Sequence, residues 1–360
     1  MGLEWLAEAP SGCLSQTLAD LDRAFVNFFM GRCAYPRYRR KFSKDSFRFP
    51  DPTQIKLPAS RHGWVFLPKL KWVRFRQSRP IPIEGLLRSA TVSRQGEHWY
   101  VSFVCAVDIA DPMRPGSDTV GIDLGIVNSI TLSTGEVIQL PKLSWRERDK
   151  LAILDRRAAS KQKGSANRRK ACAKRRKFYR RLANRRRDAQ HKATTLLAKS
   201  HGEIVIENLR VRNMTASARG TTEQPGTNVA QKAGLNRSLL NQSFGEFRRQ
   251  LEYKCRWYGS GLIVVAAMHS SRECAHCGHT EAANRPDRAH FFCLACGHTA
   301  PADWNAAENI KHRKDAGTCV VEAAPALRTV GTAEHRAGTP GARLEETHRL
   351  SQEKPPARAA

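Results

Sequence analysis

The sequence predicts an α+β protein in two parts: a partial β-barrel or curled sheet, then a mixed α/β domain carrying a small four-cysteine insertion. Three observations predict it. Residues 33–107 read as short strand-like runs broken by Pro and Gly. From residue 117 onward strands alternate with helices around three isolated carboxylates, Asp123, Glu207 and Asp303. Between the last two acids lie paired Cys-x-x-Cys motifs, Cys274/Cys277 and Cys293/Cys296, with 15 residues between them.

A chain of 360 residues that is 41% hydrophobic has room for two or three domains with real cores. Its formal net charge of +28 and pI near 10.3 exceed what solubility requires, so a polyanion is the expected partner, and nucleic acid is the commonest. No apolar run reaches about 18 residues, and Met1-Gly2-Leu3-Glu4-Trp5 is not a basic leader before an apolar core. The expectation is therefore a cytoplasmic, nucleoid-associated protein with no membrane partner. Outside the two pairs, Cys13, Cys33, Cys105, Cys172, Cys255 and Cys319 follow no regular spacing, which favours reduced thiols over a disulfide framework.

In chain order, Leu14, Leu18, Leu21, Phe25 and Phe28 step by three and four, predicting a helix with one apolar stripe that ends at Gly31 in a residual N-terminal segment, 1–32. A domain over 33–110 follows. Its strands include Trp64–Leu67 and Trp72–Phe75, and a hairpin joins Ala90–Val92 to Trp99–Val104 across Gln95-Gly96. The loop holding Tyr38, Arg39 and Arg40 mixes cations with aromatics, which suits phosphate contact with base stacking and equally an ordinary basic surface. After a linker at 111–116, Val120–Ile130 reads as a buried strand carrying one carboxylate. Burying a lone Asp is costly, so a divalent metal is a good candidate partner.

Residues 156–187 contain 16 Lys or Arg and no acid, within a basic helix expected over 156–199. Such one-sided charge repels itself and is relieved against phosphates. The candidate contacts are Arg168, Arg169, Lys170, Lys174, Arg175, Arg176, Lys177, Arg180, Arg181, Arg185, Arg186 and Arg187. Residues 213–236 lack periodicity, as expected of a lid or of a tolerated insertion. A helix then runs through Leu240, Phe244, Phe247, Leu251 and Cys255 into a strand at Leu262–Val265.

The cysteine spacing over 270–300 fits a zinc ribbon. Four thiolates complete a tetrahedral shell, so one Zn2+ there is structural, and Gly278 and Gly297 permit the turns of the two knuckles. Asp303 opens Asp303-Trp304-Asn305-Ala306-Ala307-Glu308-Asn309-Ile310, where it could equally cap a helix. From 313 to 360 the apolar pattern fades, predicting a disordered tail.

Gly121-Ile122-Asp123-Leu124-Gly125, Ile204-Val205-Ile206-Glu207-Asn208-Leu209, the cysteine pairs and the Asp303 segment, in that order around a basic helix, resemble the TnpB/OrfB family of transposon-encoded proteins, which is related to the type V CRISPR effectors. The resemblance covers roughly residues 5–312. It implies a β-barrel wedge domain and then, over 117–312, an RNase H-like (RuvC-type) nuclease domain interrupted by the zinc ribbon. Asp123, Glu207 and Asp303 match the family's catalytic carboxylates. Oxygen ligands suit Mg2+, and two such ions about 3.5–4 Å apart can activate water and stabilise a leaving oxygen. The implied partners are a guide RNA from the transposon end and target DNA, with the protein a monomer. Family members begin with a further segment, and this chain starts inside it at Glu4-Trp5-Leu6, so an N-terminal truncation is expected. Two functions follow from these residues: an RNA-guided, metal-dependent DNA endonuclease, or an impaired derivative that binds RNA or DNA and regulates transposition. A strand-joining transposase is a third.

Overall fold

The computed structural model describes residues 4–38, 45–58, 63–78, 80–81, 87–107, 111–323 and 350–353. The chain divides into two compact units, Met1–Ile109 with Arg336–Ala360, and Ala110–His335.

In the first unit, α1 (Ser11–Phe29) precedes β1 (Ser46–Phe49), β2 (Trp64–Leu67), β3 (Lys71–Arg74), β4 (Leu87–Gln95) and β5 (His98–Cys105). Strands β1, β4 and β5 form an antiparallel sheet that Leu350–Glu353 extends beside β5, while β2 and β3 make a separate hairpin. The β4–β5 turn sits where expected, with Gly96 at φ +66° supplying the left-handed conformation such a turn needs. Period-two alternation sends Val101, Phe103 and Cys105 into a core with Phe49, Val65, Leu67 and Phe75. The described strands thus form one four-stranded sheet and a separate two-stranded hairpin. Helix α1 departs from it: only Cys13 is buried, whereas Leu18 and Leu21 of the expected apolar stripe are 68% and 49% exposed.

The second unit is built on β6 (Thr119–Asp123), β7 (Ile130–Leu132), β8 (Val137–Ile138), α2 (Trp145–Ala159), α3 (Ala166–Ser200), β9 (Glu203–Glu207), α4 (Val211–Met214), α5 (Val229–Gln242), α6 (Phe244–Tyr258), β10 (Gly261–Val265), β11 (His290–Phe292), β12 (Thr299–Pro301), α7 (Ala302–His312) and β13 (Thr318–Val321). Six strands form one sheet in the order β13-β10-β9-β6-β7-β8. The central three are parallel, with Val120 opposite Ile204 and Ile204 opposite Leu262. Their apolar side chains are almost wholly buried, as expected of parallel strands covered on both faces. Val120, Ile122, Ile204, Ile206 and Leu262 pack with Leu197 and Ala198 of α3 and with Phe247, Leu251 and Cys255 of α6. On the opposite face Val205 and Val265 meet Ile310 of α7. Alternation along β6 and β9 puts Asp123 and Glu207 on the α7 face.

Gly121 explains how closely α7 approaches. A Cβ there would overlap the carbonyl oxygen of Ala307 and lie 2.6 Å from the backbone nitrogen of Lys311. Only a glycine lets helix and strand backbones come together this tightly.

Five expectations are corrected. The strand expected over Val120–Ile130 ends at Asp123, and residues 124–129 form a loop that reverses the chain into antiparallel β7. The basic segment is a helical hairpin, because Gly164 at φ +87° and the flanking turn break it before Ser165 caps α3. Helix α2 returns the acids that residues 156–187 lack: Glu147 pairs with Arg185 and Asp155 with Arg175. The segment 213–236 is not all irregular, since α4 covers Val211–Met214 and α5 begins at Val229. The helix expected through Leu240 and Phe244 is broken at Ser243, which takes φ +56° and leaves Leu240 58% exposed. Finally, Thr318–Val321 of the expected tail is β13, paired antiparallel with β10 and burying Val321, so order extends past 312.

Candidate active site

Asp123 and Glu207 end the adjacent parallel strands β6 and β9, so their carboxylates emerge at the carboxyl edge of the sheet. Asp303 arrives from the first turn of α7. It is not the helix cap, a position held by Pro301 without a side-chain bond. Burial pushes the Asp123 carboxyl up to about 7, and the charges of Glu207 and then Asp303 add to the rise, with Arg285 opposing it. Glu207 is only 9% exposed, and burial raises its pKa against the pull of the Ser270 hydroxyl, which donates to Oε1 at 2.5 Å. Asp303 is anchored twice. Asn128 Nδ2 donates to Oδ2 at 2.9 Å and Arg285 lies 3.6 Å from Oδ1. Asn128 is itself held by Gln139 Nε2 at 2.9 Å.

Asp123 therefore senses both other acids, yet the three form an open constellation. Among the described residues, the group of ligand atoms lying mutually within 4.8 Å is that of the four cysteines. Cys274 Sγ lies 3.7 Å from Cys296 and Cys277 Sγ 3.5 Å from Cys293. Each knuckle repeats one geometry: Gly278 and Gly297, at φ +76° and +72°, donate to the carbonyls of Cys274 and Cys293, whose own amides donate to His279 and His298. Four soft donors at this spacing fit a tetrahedral zinc ion. None of the ten cysteines is paired in a disulfide.

The ribbon is bolted to the helix that carries Asp303. Asn305 accepts from the Ala275 amide at 3.0 Å and donates to the Glu273 carbonyl at 2.8 Å. Asn309 donates to the carbonyls of Ser270 and Glu273 at 2.8 and 2.6 Å, and the amide of Ala302 to the carbonyl of Ala289 at 2.8 Å. Asn284, fully buried, donates to Arg272 O and His279 O and accepts from the Leu294 amide, tying one knuckle to the other.

Sequence reasoning missed Arg285, Ser270 and Asn128. Arg285 sits between the knuckles, 18 residues before Asp303, and only the fold of the ribbon brings it to the acids. Asn305 and Asn309 stood inside the motif that marked Asp303, but their amide bonds were not readable from spacing.

The basic residues are sorted by the hairpin. Arg168 donates to the Lys161 carbonyl, Arg175 pairs with Asp155, Arg185 with Glu147 through two bonds of 2.9 and 3.0 Å, and Arg186 with Asn241 at 2.7 Å. Arg180 is partly buried. Arg169, Lys170, Lys174, Arg176, Lys177, Arg181 and Arg187 are exposed. Tyr38 is fully exposed, while Arg39 and Arg40 lie outside the described residues. No described helix is long and apolar enough to cross a membrane.

Residues 102–218 match the OrfB_IS605 family model, described as "Probable transposase", and residues 244–310 match the Cas12f1-like TNB domain. A protein of Escherichia coli (strain K12) named "Putative RNA-guided DNA endonuclease InsQ" is 42% identical over 307 residues, 85% of this chain and 75% of that protein. A "Putative RNA-guided DNA endonuclease" of Streptomyces pristinaespiralis is 37% identical over 86% of this chain and 72% of its own length. The solved Cas12f1-sgRNA-target DNA complex aligns with 84% of this chain and 79% of that chain at 16% identity and a TM-score of 0.37, a likeness too distant to argue from. The 42% identity to InsQ, over 85% of this chain and three quarters of that protein, shows that this chain belongs to the TnpB/OrfB family.

Proposed function

We propose that the chain is an RNA-guided, metal-dependent DNA endonuclease of a mobile element, with Asp123, Glu207 and Asp303 as its catalytic carboxylates. The observation that carries this reading is the convergence of the three acids at the carboxyl edge of the sheet, where burial and mutual repulsion raise Asp123 to about 7. Carboxylates crowded against their own charge are stabilised by a cation, and hard oxygen donors suit Mg2+. The order of the sheet, an antiparallel β6–β7–β8 meander joined through β6 to parallel β9 and β10, supports an RNase H-like, RuvC-type domain. The names of the relatives support the guided chemistry and, with it, guide RNA and target DNA as partners. The open sheet of the first unit is the wedge-like part of this reading.

In this reading the three acids hold two Mg2+ ions, which supply Lewis-acid polarisation of the scissile phosphodiester. Ser270 donates a bond that favours the ionised form of Glu207 against the burial that raises its pKa, Asn128 fixes the rotamer of Asp303, and Arg285 offers its guanidinium to charge developing on the phosphate. The exposed cations of α3 engage the nucleic-acid backbone without reading sequence. The zinc-filled ribbon holds α7, and so Asp303, in place.

The test is to sequence the RNA that copurifies with the protein and assay Mg2+-dependent cleavage of DNA matching its variable end, with Asp123→Ala as control. A discrete transposon-end RNA and cleavage by the wild type alone are expected. RNA binding with no cleavage by either protein would make the chain the binding-only regulator.

A further inference from the structure

A cavity of about 190 Å³ opens beside the loop that follows Asp123, bounded by Ile126, Lys142, Arg148, Arg186, Asn241 and Gln242 among others. Its three cations come from three different elements: the segment after β8, the start of α2 and the middle of α3. No carboxylate lines it. Glu147, the neighbour of Arg148, is turned away and engaged by Arg185.

Arg186 is the informative residue. It is partly buried, and its guanidinium donates to two neutral acceptors, Asn241 Oδ1 at 2.7 Å and the Pro141 carbonyl at 3.4 Å. Among the described residues no acid pairs with it, although a half-buried cation is normally paired. Burial and the adjacent Arg185 both press its pKa below the usual arginine range. Arg148, exposed, likewise has no ion pair among the described residues. Glu147 offsets part of this charge from outside the wall, while the wall itself carries three cations and no carboxylate, and Asn241 and Ser238 add neutral hydrogen-bonding groups to it.

Position narrows the anion. Ile126 is three residues from Asp123, so their Cα atoms are no more than about 11 Å apart. Gln242 reaches from the pocket to the Ile126 carbonyl at 3.1 Å, and the same loop supplies Asn128 to Asp303. A phosphodiester backbone seated here would run within reach of the acids, as a strand they act on must.

We propose that this pocket seats a backbone phosphodiester of the DNA strand being cleaved, a few nucleotides from the cut, with Arg186 and Arg148 as its cationic contacts. The proposal rests on the nuclease reading above.

The experiment uses the ribonucleoprotein as purified with its RNA. Matched single-stranded DNA carries one methylphosphonate, a neutral linkage, at successive positions around the cut, and binding is measured without Mg2+ so that cleavage is not the readout. In the wild type, one linkage near the cut is expected to weaken binding about ten-fold. In Arg148→Ala and in Arg186→Gln that penalty disappears, and the slope of log affinity against log salt falls by about 0.7 per lost contact. Affinity for the RNA stays within two-fold, and thermal melts confirm that both variants fold. A penalty at the same linkage that persists in the variants, or a matching loss of RNA affinity, would overturn the assignment. A complex that shows the full linkage signature yet cuts nothing when Mg2+ is restored would instead sink the nuclease reading and leave the phosphate seat in place.

Discussion

Ser270 donates its hydroxyl to Glu207 Oε1 at 2.5 Å, at the point where β9 delivers a nearly sealed carboxylate to the site. The bond favours the ionised form while burial opposes it, so Ser270 holds the acid ready for a cation.

Ser270→Ala should raise the pKa of Glu207 further. The acid limb of the pH–rate profile is expected to move to higher pH, and half-saturation by Mg2+ at pH 7 to need about ten-fold more metal, the equivalent of about 1.4 kcal/mol. Ser270→Thr should restore both. A slower enzyme with an unshifted profile would mean that the hydroxyl only packs.

Asp123 makes stability depend on pH. Its carboxyl titrates near 7 in the folded protein and about 3.9 unfolded, so ionising it costs more in the native state. The sign is that of a raised acid: its contribution is complete below about pH 4 and is lost as pH climbs through 7. In Mg2+-free buffer the melting temperature of the second unit should fall between pH 5 and pH 8, by up to a few kcal/mol of stability. Asp123→Asn should flatten that fall and abolish cleavage, and Mg2+ should stabilise only the wild type. Parallel pH–stability curves for the two proteins would contradict the shift.

Gly121→Ala should be costly although it adds one methyl. The new Cβ meets backbone of α7 at Ala307 and Lys311, which cannot rotate away. Overpacking of this kind costs about 1–3 kcal/mol, read from denaturant midpoints, and should lower the rate further by shifting Asp303. Retained stability would show that α7 can slide outward.

The ribbon should bind one zinc ion per chain, measurable by elemental analysis. Stripping it, or Cys293→Ser, is expected to lower the melting temperature and abolish cleavage even at saturating Mg2+, because the bonds from Asn305 and Asn309 to residues 270–275 position α7. Unchanged cleavage by zinc-free protein would separate the ribbon from the acids.

Local pattern carried much of this. The β4–β5 hairpin was legible because Gln95-Gly96 separates two alternating runs, and the ribbon because four thiols at paired spacing have few other uses. Strands β9 and β10 were legible from continuous apolar runs, whereas β6 was read too long because Leu124, Ile126 and Val127 prolong its apolar pattern past Asp123, where the strand ends. The helix breaks at Gly164 and Ser243 were harder: neither residue is followed by proline, and left-handed backbone at Ser243 is imposed by packing, not by propensity. Strand β13 was missed because Thr318–Val321 is too short to show a period by itself and is stabilised by its ladder with β10.

By itself the sequence determined the chemistry available: three acids, four thiols and a cationic segment, each fixed by residue type and spacing. The tertiary structure decided which of these groups meet. Residues 123, 207 and 303 come together because β6 and β9 are parallel neighbours and Gly121 admits α7. Arg175, Arg185 and Arg186 are drawn into internal bonds because α2 and α5 fold against α3. Arg285 joins the acids because the ribbon closes. Contacts between residues distant in sequence depend on burial and backbone approach, which no local spacing encodes.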